Sequence, residues 1–264
     1  MDGFHIVSCT DCGVRFLEPQ PSATDLRRIY DAGYFANGDS GCRGYEAYAA
    51  EEDNIRRTFR DRLTDLPQRR GRLLDVGAAT GFFVDEAAAA GWEASGVEPS
   101  AWAASHARER LGVEVITGTL EETAYPTSAF DVVTMWEVIE HLPDPRATLR
   151  EVHRILRPGG QLVLSTPDAG SVAARISGRH WLGWRKVPEH LYFFDCPNLD
   201  RLLVECGFNP VRHRYASLTV SVGFALDRLG ALLGMSRIPL PAAIRNRSAR
   251  VNPFYDLLIV ADRA

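Results

Sequence analysis

Lysine is nearly missing from this chain: Lys186 is the only one in 264 residues, so arginine supplies the rest of the 30 basic side chains. Against 34 acids these leave a net charge of -4, which lacks the basic footprint expected of a nucleic-acid or acidic-membrane binder. Cysteine is scarce as well. Cys9, Cys12, Cys42, Cys196 and Cys206 make an odd count, which argues against a disulfide framework. No apolar run approaches the roughly 20 residues that cross a bilayer, and no basic-then-apolar leader with a cleavage site opens the chain. A cytoplasmic location is the expectation. The bias towards arginine and alanine reads as a GC-rich bacterial origin, and the length suits one α/β domain with added elements.

The chemistry that is present starts at Leu73-Leu74-Asp75-Val76, a short apolar run fit for a buried parallel strand, followed by the turn Gly77-Ala78-Ala79-Thr80-Gly81. Glycine there lets backbone approach a ligand without a Cβ in the way. Phe82 to Ala90 reads as a helix ended by Gly91, and a second run, Ala94 to Val97, ends in Glu98. A carboxylate at that place suits the two hydroxyls of a ribose, so the segment outlines a nucleoside site. The glycine spacing differs from the G-x-G-x-x-G of nicotinamide-binding folds.

Asp75-Val76-Gly77-Ala78-Ala79-Thr80-Gly81 resembles motif I of the class I S-adenosylmethionine-dependent methyltransferases, with Ala79 at the family's middle glycine. Glu98-Pro99-Ser100, Phe130 to Trp136, Glu137 to Pro145 and Leu156 to Gly160 resemble the family's later segments in order. The resemblance covers Leu73 to Gly160 and implies an α/β, Rossmann-like, seven-stranded and mostly parallel sheet with an antiparallel last strand and an N-terminal helical cap. It implies S-adenosyl-L-methionine as cofactor and S-adenosyl-L-homocysteine as product. Gly77, Ala78, Ala79 and Gly81 would pass close to its methionine part, Glu98 and Pro99 would hold the ribose, Thr119 and Leu120 would border the adenine, and Asp75, Phe82 and Trp136 are further cofactor-binding candidates.

A division follows: residues 1–68 as a knuckle remnant and helical cap, and 69–264 as the catalytic domain, with a lid over 168–196 and an insertion over 221–254. Cys9-Thr10-Asp11-Cys12-Gly13 has the shape of one zinc knuckle, half of a tetrahedral site, which His5 or Cys42 could complete; a relic without metal is the expectation. Tyr34, Tyr45 and Tyr48 in the cap, and Trp181 and Tyr192 in the lid, are candidate substrate contacts that could equally serve as packing.

Methyl transfer to a hydroxyl needs a base within hydrogen-bond reach. His190, in Glu189-His190-Leu191-Tyr192-Phe193, and His141, after the fourth strand, are the candidates; each also reads as structural, His141 as a cap of the following helix. Glu137-Val138-Ile139-Glu140-His141 resembles a string that some relatives use for a divalent ion, but no metal is expected here. His106 and His153 read as surface residues. Asn252-Pro253-Phe254-Tyr255 resembles an amino-group methyltransferase motif in the wrong place and carries no catalytic weight.

The reading is a methyltransferase acting on a small molecule, at oxygen, assisted by a histidine base. Carbon or nitrogen attack, a nicotinamide-dependent reductase and a non-catalytic binding module remain alternatives. Expected partners are a small-molecule acceptor, no nucleic acid and no membrane span, with a homodimer through insertion or cap as an option.

Overall fold

In a computed structural model of the chain, residues 3–22, 25–26, 51–232 and 240–264 are described. Tyr34, Tyr45, Tyr48 and Cys42 lie outside the described residues. The strands are β1 (His5–Ser8), β2 (Arg15–Glu18), β3 (Arg72–Val76), β4 (Glu93–Glu98), β5 (Glu114–Thr117), β6 (Phe130–Trp136), β7 (Leu156–Pro167), β8 (Tyr192–Phe193), β9 (Phe208–Tyr215), β10 (Leu218–Ser221), β11 (Ser248–Val251) and β12 (Asp256–Arg263). The helices are α1 (Glu52–Arg62), α2 (Phe82–Ala89), α3 (Ala101–Leu111), α4 (Pro145–Ile155), α5 (Val172–Ser177), α6 (Cys196–Glu205), α7 (Val222–Leu232) and α8 (Ala242–Arg245).

Seven strands form the main sheet in the order β5-β4-β3-β6-β7-β12-β9. β3 to β7 pair in parallel, and β12 runs antiparallel to both of its neighbours. This is the mostly parallel sheet with an antiparallel last strand that the family resemblance implies. Consecutive residues of a strand point to opposite faces, and both faces are buried here. Leu74, Val133, Leu164, Leu257 and Ile259 join one core with Leu149, Val152 and Ile155 of α4 and Leu199 and Leu203 of α6. Their neighbours Leu73, Val132, Val163, Leu258 and Val260 join a second core with Phe83 and Ala87 of α2. A three-layer sandwich follows from that alternation.

Local chemistry sets the element ends. Ser100 caps α3 by accepting from the Ala103 N–H, Asp144 caps α4 through the Ala147 N–H with Pro145 in its first turn, and Asp195 caps α6 through the Asn198 N–H. Asp144 thus takes the capping role that the sequence reading offered to His141.

Three further points differ from the sequence reading. The stretch read as one strand from Val211 to Val220 is split: β9 stays in the main sheet, while β10 pairs with β11 in a separate two-stranded sheet. The break falls at Ala216, which is fully buried and donates its N–H to the Asp256 carbonyl at 2.8 Å. The N-terminal hairpin β1-β2 extends into a three-stranded sheet with β8, where Phe16 pairs with Tyr192. His106 and His153 are half-buried rather than on the surface: His106 stacks on Trp102 at 5.1 Å, and His153 meets the Phe208 ring edge-on at 5.5 Å.

Candidate functional site

Strand direction brings five segments to one edge of the sheet. β3, β4, β6 and β7 end there at Val76, Glu98, Trp136 and Pro167, and the antiparallel β12 begins there at Asp256, paired with Pro167. Ligands of parallel α/β sheets bind outside this edge.

The turn after β3 packs tightly. Gly77 and Gly81 have φ of 76° and 82°, and Ala79 between them has φ of 46°, a left-handed conformation that glycine adopts without strain. A Cβ on Gly77 would come within 2.5 Å of Val138 Cγ2, so the turn lies against the segment after β6. A Cβ on Gly96 would meet the Ala78 methyl at 2.5 Å, which fixes the turn onto β4. Glu98 is buried and accepts from the Ala79 N–H at 2.9 Å and the Ser100 N–H at 2.8 Å. Each carboxylate oxygen keeps a second lone pair for a vicinal diol. Burial pushes the Glu98 carboxyl above its ordinary pKa, and the two N–H bonds oppose that rise.

Asp75 is buried beneath the turn and accepts from Thr134 Oγ1 at 2.6 Å. Its carboxyl is pushed up to about 8, chiefly by burial, with the Glu98 charge adding to the rise. Ala78 and Phe82 are buried, Pro99 is exposed, and Phe82 lies under the Arg56 guanidinium at 4.9 Å. Leu120 is buried in the core; the Thr119 N–H donates to Glu122 Oε2 at 2.8 Å, so that donor is engaged within its own loop.

These residues fit a nucleoside cofactor with a polar tail. A buried carboxylate with spare acceptor capacity stands beside a turn that admits no larger residue at Gly77, and Thr80 Oγ1 is buried there without a hydrogen-bond partner among the described residues. The start of α2 follows the turn directly.

Beyond the turn lies a polar cluster. Glu140 is buried and accepts from Thr166 Oγ1 at 2.9 Å; its Oε1 has no hydrogen-bond partner among the described residues. His141 Nδ1 lies 2.9 Å from the Glu189 carbonyl, and the Leu191 N–H donates to the Glu140 carbonyl at 2.8 Å, which docks the 168–196 connection on the site. The rings of His141 and His190 meet edge-on at 4.7 Å. His190 is buried and its Nε2 also lacks a partner among the described residues. Burial lowers both histidines, His141 to about 3 and His190 well below the usual range, with the proximity of His141 and Lys186 adding to the effect on His190. Both rings are therefore neutral near pH 7. Burial likewise raises Glu140 to about 7 and Glu137 well above its ordinary range.

Glu140, His141 and His190 have ligand atoms within 4.8 Å of one another, an arrangement that could hold a cation. Glu137 lies at the edge of this group: its φ is 55°, it accepts from Ser165 Oγ at 3.1 Å, and the Asp256 carboxylate adds to burial in raising its pKa. Trp136 faces α1, with Arg62 at 5.5 Å from its ring. Trp181 and Tyr192 sit in the connection: Trp181 is buried against Trp184, and Tyr192 donates its hydroxyl to the Pro143 carbonyl at 3.3 Å.

Sequence reasoning missed Arg62 and Asp256, a buried ion pair at 2.6 Å behind Trp136. The signal for Asp256 was topological. An antiparallel last strand starts at the edge where the parallel strands end, so the acid at its first position falls beside the site.

A family model described as a methyltransferase domain matches residues 48–213. A Mycobacterium tuberculosis protein described as "Probable S-adenosylmethionine-dependent methyltransferase" is 35% identical over 105 residues, which is 39% of this chain and 36% of that relative. The chain thus spans about a third of the length of that relative. A ubiquinone biosynthesis O-methyltransferase of Pseudomonas aeruginosa is 57% identical over 37 residues, 14% of this chain and 16% of its own. Among solved structures, a geranyl diphosphate C-methyltransferase of Streptomyces coelicolor has a TM-score of 0.57 at 16% identity, covering 91% of this chain and 98% of that one. An S-adenosylmethionine-dependent methyltransferase of Mesorhizobium loti has a TM-score of 0.52 at 19% identity, covering 76% and 95%. At these identities the structures share the fold.

Proposed function

The chain belongs to the methyltransferase-domain family, and from that premise we propose that it is an S-adenosylmethionine-dependent methyltransferase acting on an oxygen of a small molecule, with His190 as base. When bound, the cofactor supplies an electrophilic methyl group and its own leaving group. The turn from Gly77 to Gly81 would lie along its methionine part, and Glu98 would accept the ribose hydroxyls. Trp136 and the 168–196 connection would exclude water and align the acceptor, and alignment can contribute on the order of 7–11 kcal/mol at best.

One observation carries the histidine: Nε2 of His190 is buried without a hydrogen-bond partner among the described residues, on a ring whose pKa is well below the usual range. A neutral imidazole has a lone pair to take the hydroxyl proton of an acceptor. His141 would act as a positioning residue, holding the Glu189 carbonyl that precedes His190. Isothermal titration tests the cofactor: saturable binding of S-adenosylmethionine and S-adenosylhomocysteine is expected, and its absence in folded protein overturns the proposal. His190→Ala is expected to keep cofactor affinity while turnover falls about 10²–10⁴-fold. Unchanged turnover would remove the base.

A second reading of the same group is favoured by Glu140 Oε1, which lies 3.9 Å from His141 Nε2 and makes no hydrogen bond among the described residues, close to His190. Glu140, His141 and His190 would hold a divalent ion, which would lower the pKa of an acceptor hydroxyl. The two readings separate on chelation: turnover lost on metal removal and restored by metal supports the ion, and unaffected turnover supports the base.

A further inference from the structure

At the β9 edge of the sheet a second group of side chains carries metal-donor chemistry. Cys196 and Asp200 stand four residues apart on α6 and so share one face of that helix. His213 projects from the neighbouring β9. The Cys196 sulfur, an Asp200 oxygen and a His213 nitrogen lie within 4.8 Å of one another, and His213 Nε2 is 2.7 Å from Asp200 Oδ1. A thiol, an imidazole and a carboxylate from two elements are the donors that zinc accepts, whereas magnesium and calcium take oxygen alone.

We propose that Cys196, Asp200 and His213 form a zinc site with its fourth position open to water, fastening the second end of the 168–196 connection to the edge strand of the sheet. Three further observations support it. The charged groups acting on the Cys196 thiol are all carboxylates, Asp200, Asp168 and Asp195. Asp195 is engaged as the α6 cap, and Asp168 accepts from Tyr215 OH at 2.7 Å and the Gly170 N–H at 2.7 Å. Cys196, Asp200 and His213 are left as the donor set in a negative surrounding. The His213 and Asp200 side chains are 34% and 33% exposed, so an ion can enter from solvent and keep a water ligand.

The placement gives the site a purpose. Tyr215 and His213 are two residues apart on β9 and so share a face. Tyr215 holds Asp168, the first residue of the connection, and the metal would hold Cys196, its last. Binding would release the thiol proton to solvent, since the thiolate is the ligand form. No oxidation state changes.

The test uses the full chain with Cys9→Ser and Cys12→Ser, which removes the other thiol pair. Cobalt titration is expected to give a sulfur-to-cobalt charge-transfer band saturating at one equivalent and displaced by zinc. Cys196→Ala should abolish the band, and His213→Ala should weaken cobalt binding at least about tenfold, both with circular dichroism unchanged. Zinc should also slow proteolysis between residues 171 and 188 in the parent and not in these variants. Absence of a thiolate band in the folded parent, or a band that survives Cys196→Ala, overturns the proposal. None of these readouts depends on methyl transfer.

Discussion

At the scale of single residues, the turn at Gly77 to Gly81 holds two departures from what its backbone prefers. Ala79 has φ of 46°, which costs an L-residue about 1–2 kcal/mol, while glycine would add about 0.5–1 kcal/mol of unfolded-state entropy. Ala79→Gly should therefore stabilise the protein by up to about 1 kcal/mol, read as a higher urea midpoint at unchanged slope; a lower midpoint would show that the methyl group packs usefully. Asp75 departs in charge. Its folded pKa of about 8 lies above the ordinary 3.8, so the folded protein keeps a proton that the unfolded chain releases. The stability this group contributes is complete below about pH 4 and is lost as pH rises through 8. Asp75→Asn should flatten that fall in urea titrations between pH 5 and 8, and an unaltered slope would place the ionised carboxylate in the folded state.

At the scale of elements, the β2–β8 pairing couples the N-terminal hairpin to the segment bearing His190. Leu17 is fully buried with Leu26 and Leu191, and its N–H donates to the Leu191 carbonyl at 2.8 Å. Leu17→Ala removes a buried side chain at a cost of about 2–5 kcal/mol. Because that contact lies outside the two main cores, the loss should appear as local opening: proteolysis between residues 171 and 188 should accelerate about tenfold or more, with the urea midpoint of the main sheet little changed. Cleavage at the parent rate would mean that the connection is held from elsewhere. This pairing also marks where sequence reasoning stopped. β3, β4 and β6 were legible because each apolar run and its closing turn are contiguous. β8 was not, because a two-residue strand takes its identity from Phe16, 176 positions away along the chain. Likewise the stretch 211–220 has one composition, and only the Ala216 contact with the Asp256 carbonyl shows that its halves belong to different sheets. The glycine turn, Glu98 and the two histidines could be read as motifs, whereas the contact that brings His190 against His141 depends on the docked connection.

At the scale of the whole molecule, α1 is tied to both sides of the site by charge. Arg56 and Arg60 bond Glu86 on α2 at 3.0 and 2.7 Å, and Arg62 bonds Asp256 at the start of β12. Glu86 is buried, while Arg60 is largely exposed, so the Arg60 pair is of modest worth. Arg62–Asp256 differs, since both side chains are buried at 4% and 3% exposure. Burying two charges costs nearly as much as their attraction returns, so the pair adds little net stability, yet removing one partner leaves the other charged and unpaired. Arg62→Met should therefore cost about 3–5 kcal/mol, while Arg62→Met with Asp256→Asn should recover most of that loss. The Arg62 guanidinium also lies 5.5 Å from the Trp136 ring, so the double variant should regain stability without restoring that contact at the cleft. Urea unfolding of the two single variants and the double variant closes the cycle. Losses that simply add would show that α1 is held by its apolar face; a coupling of 2 kcal/mol or more would make this buried pair the tie between the helical cap and the last strand.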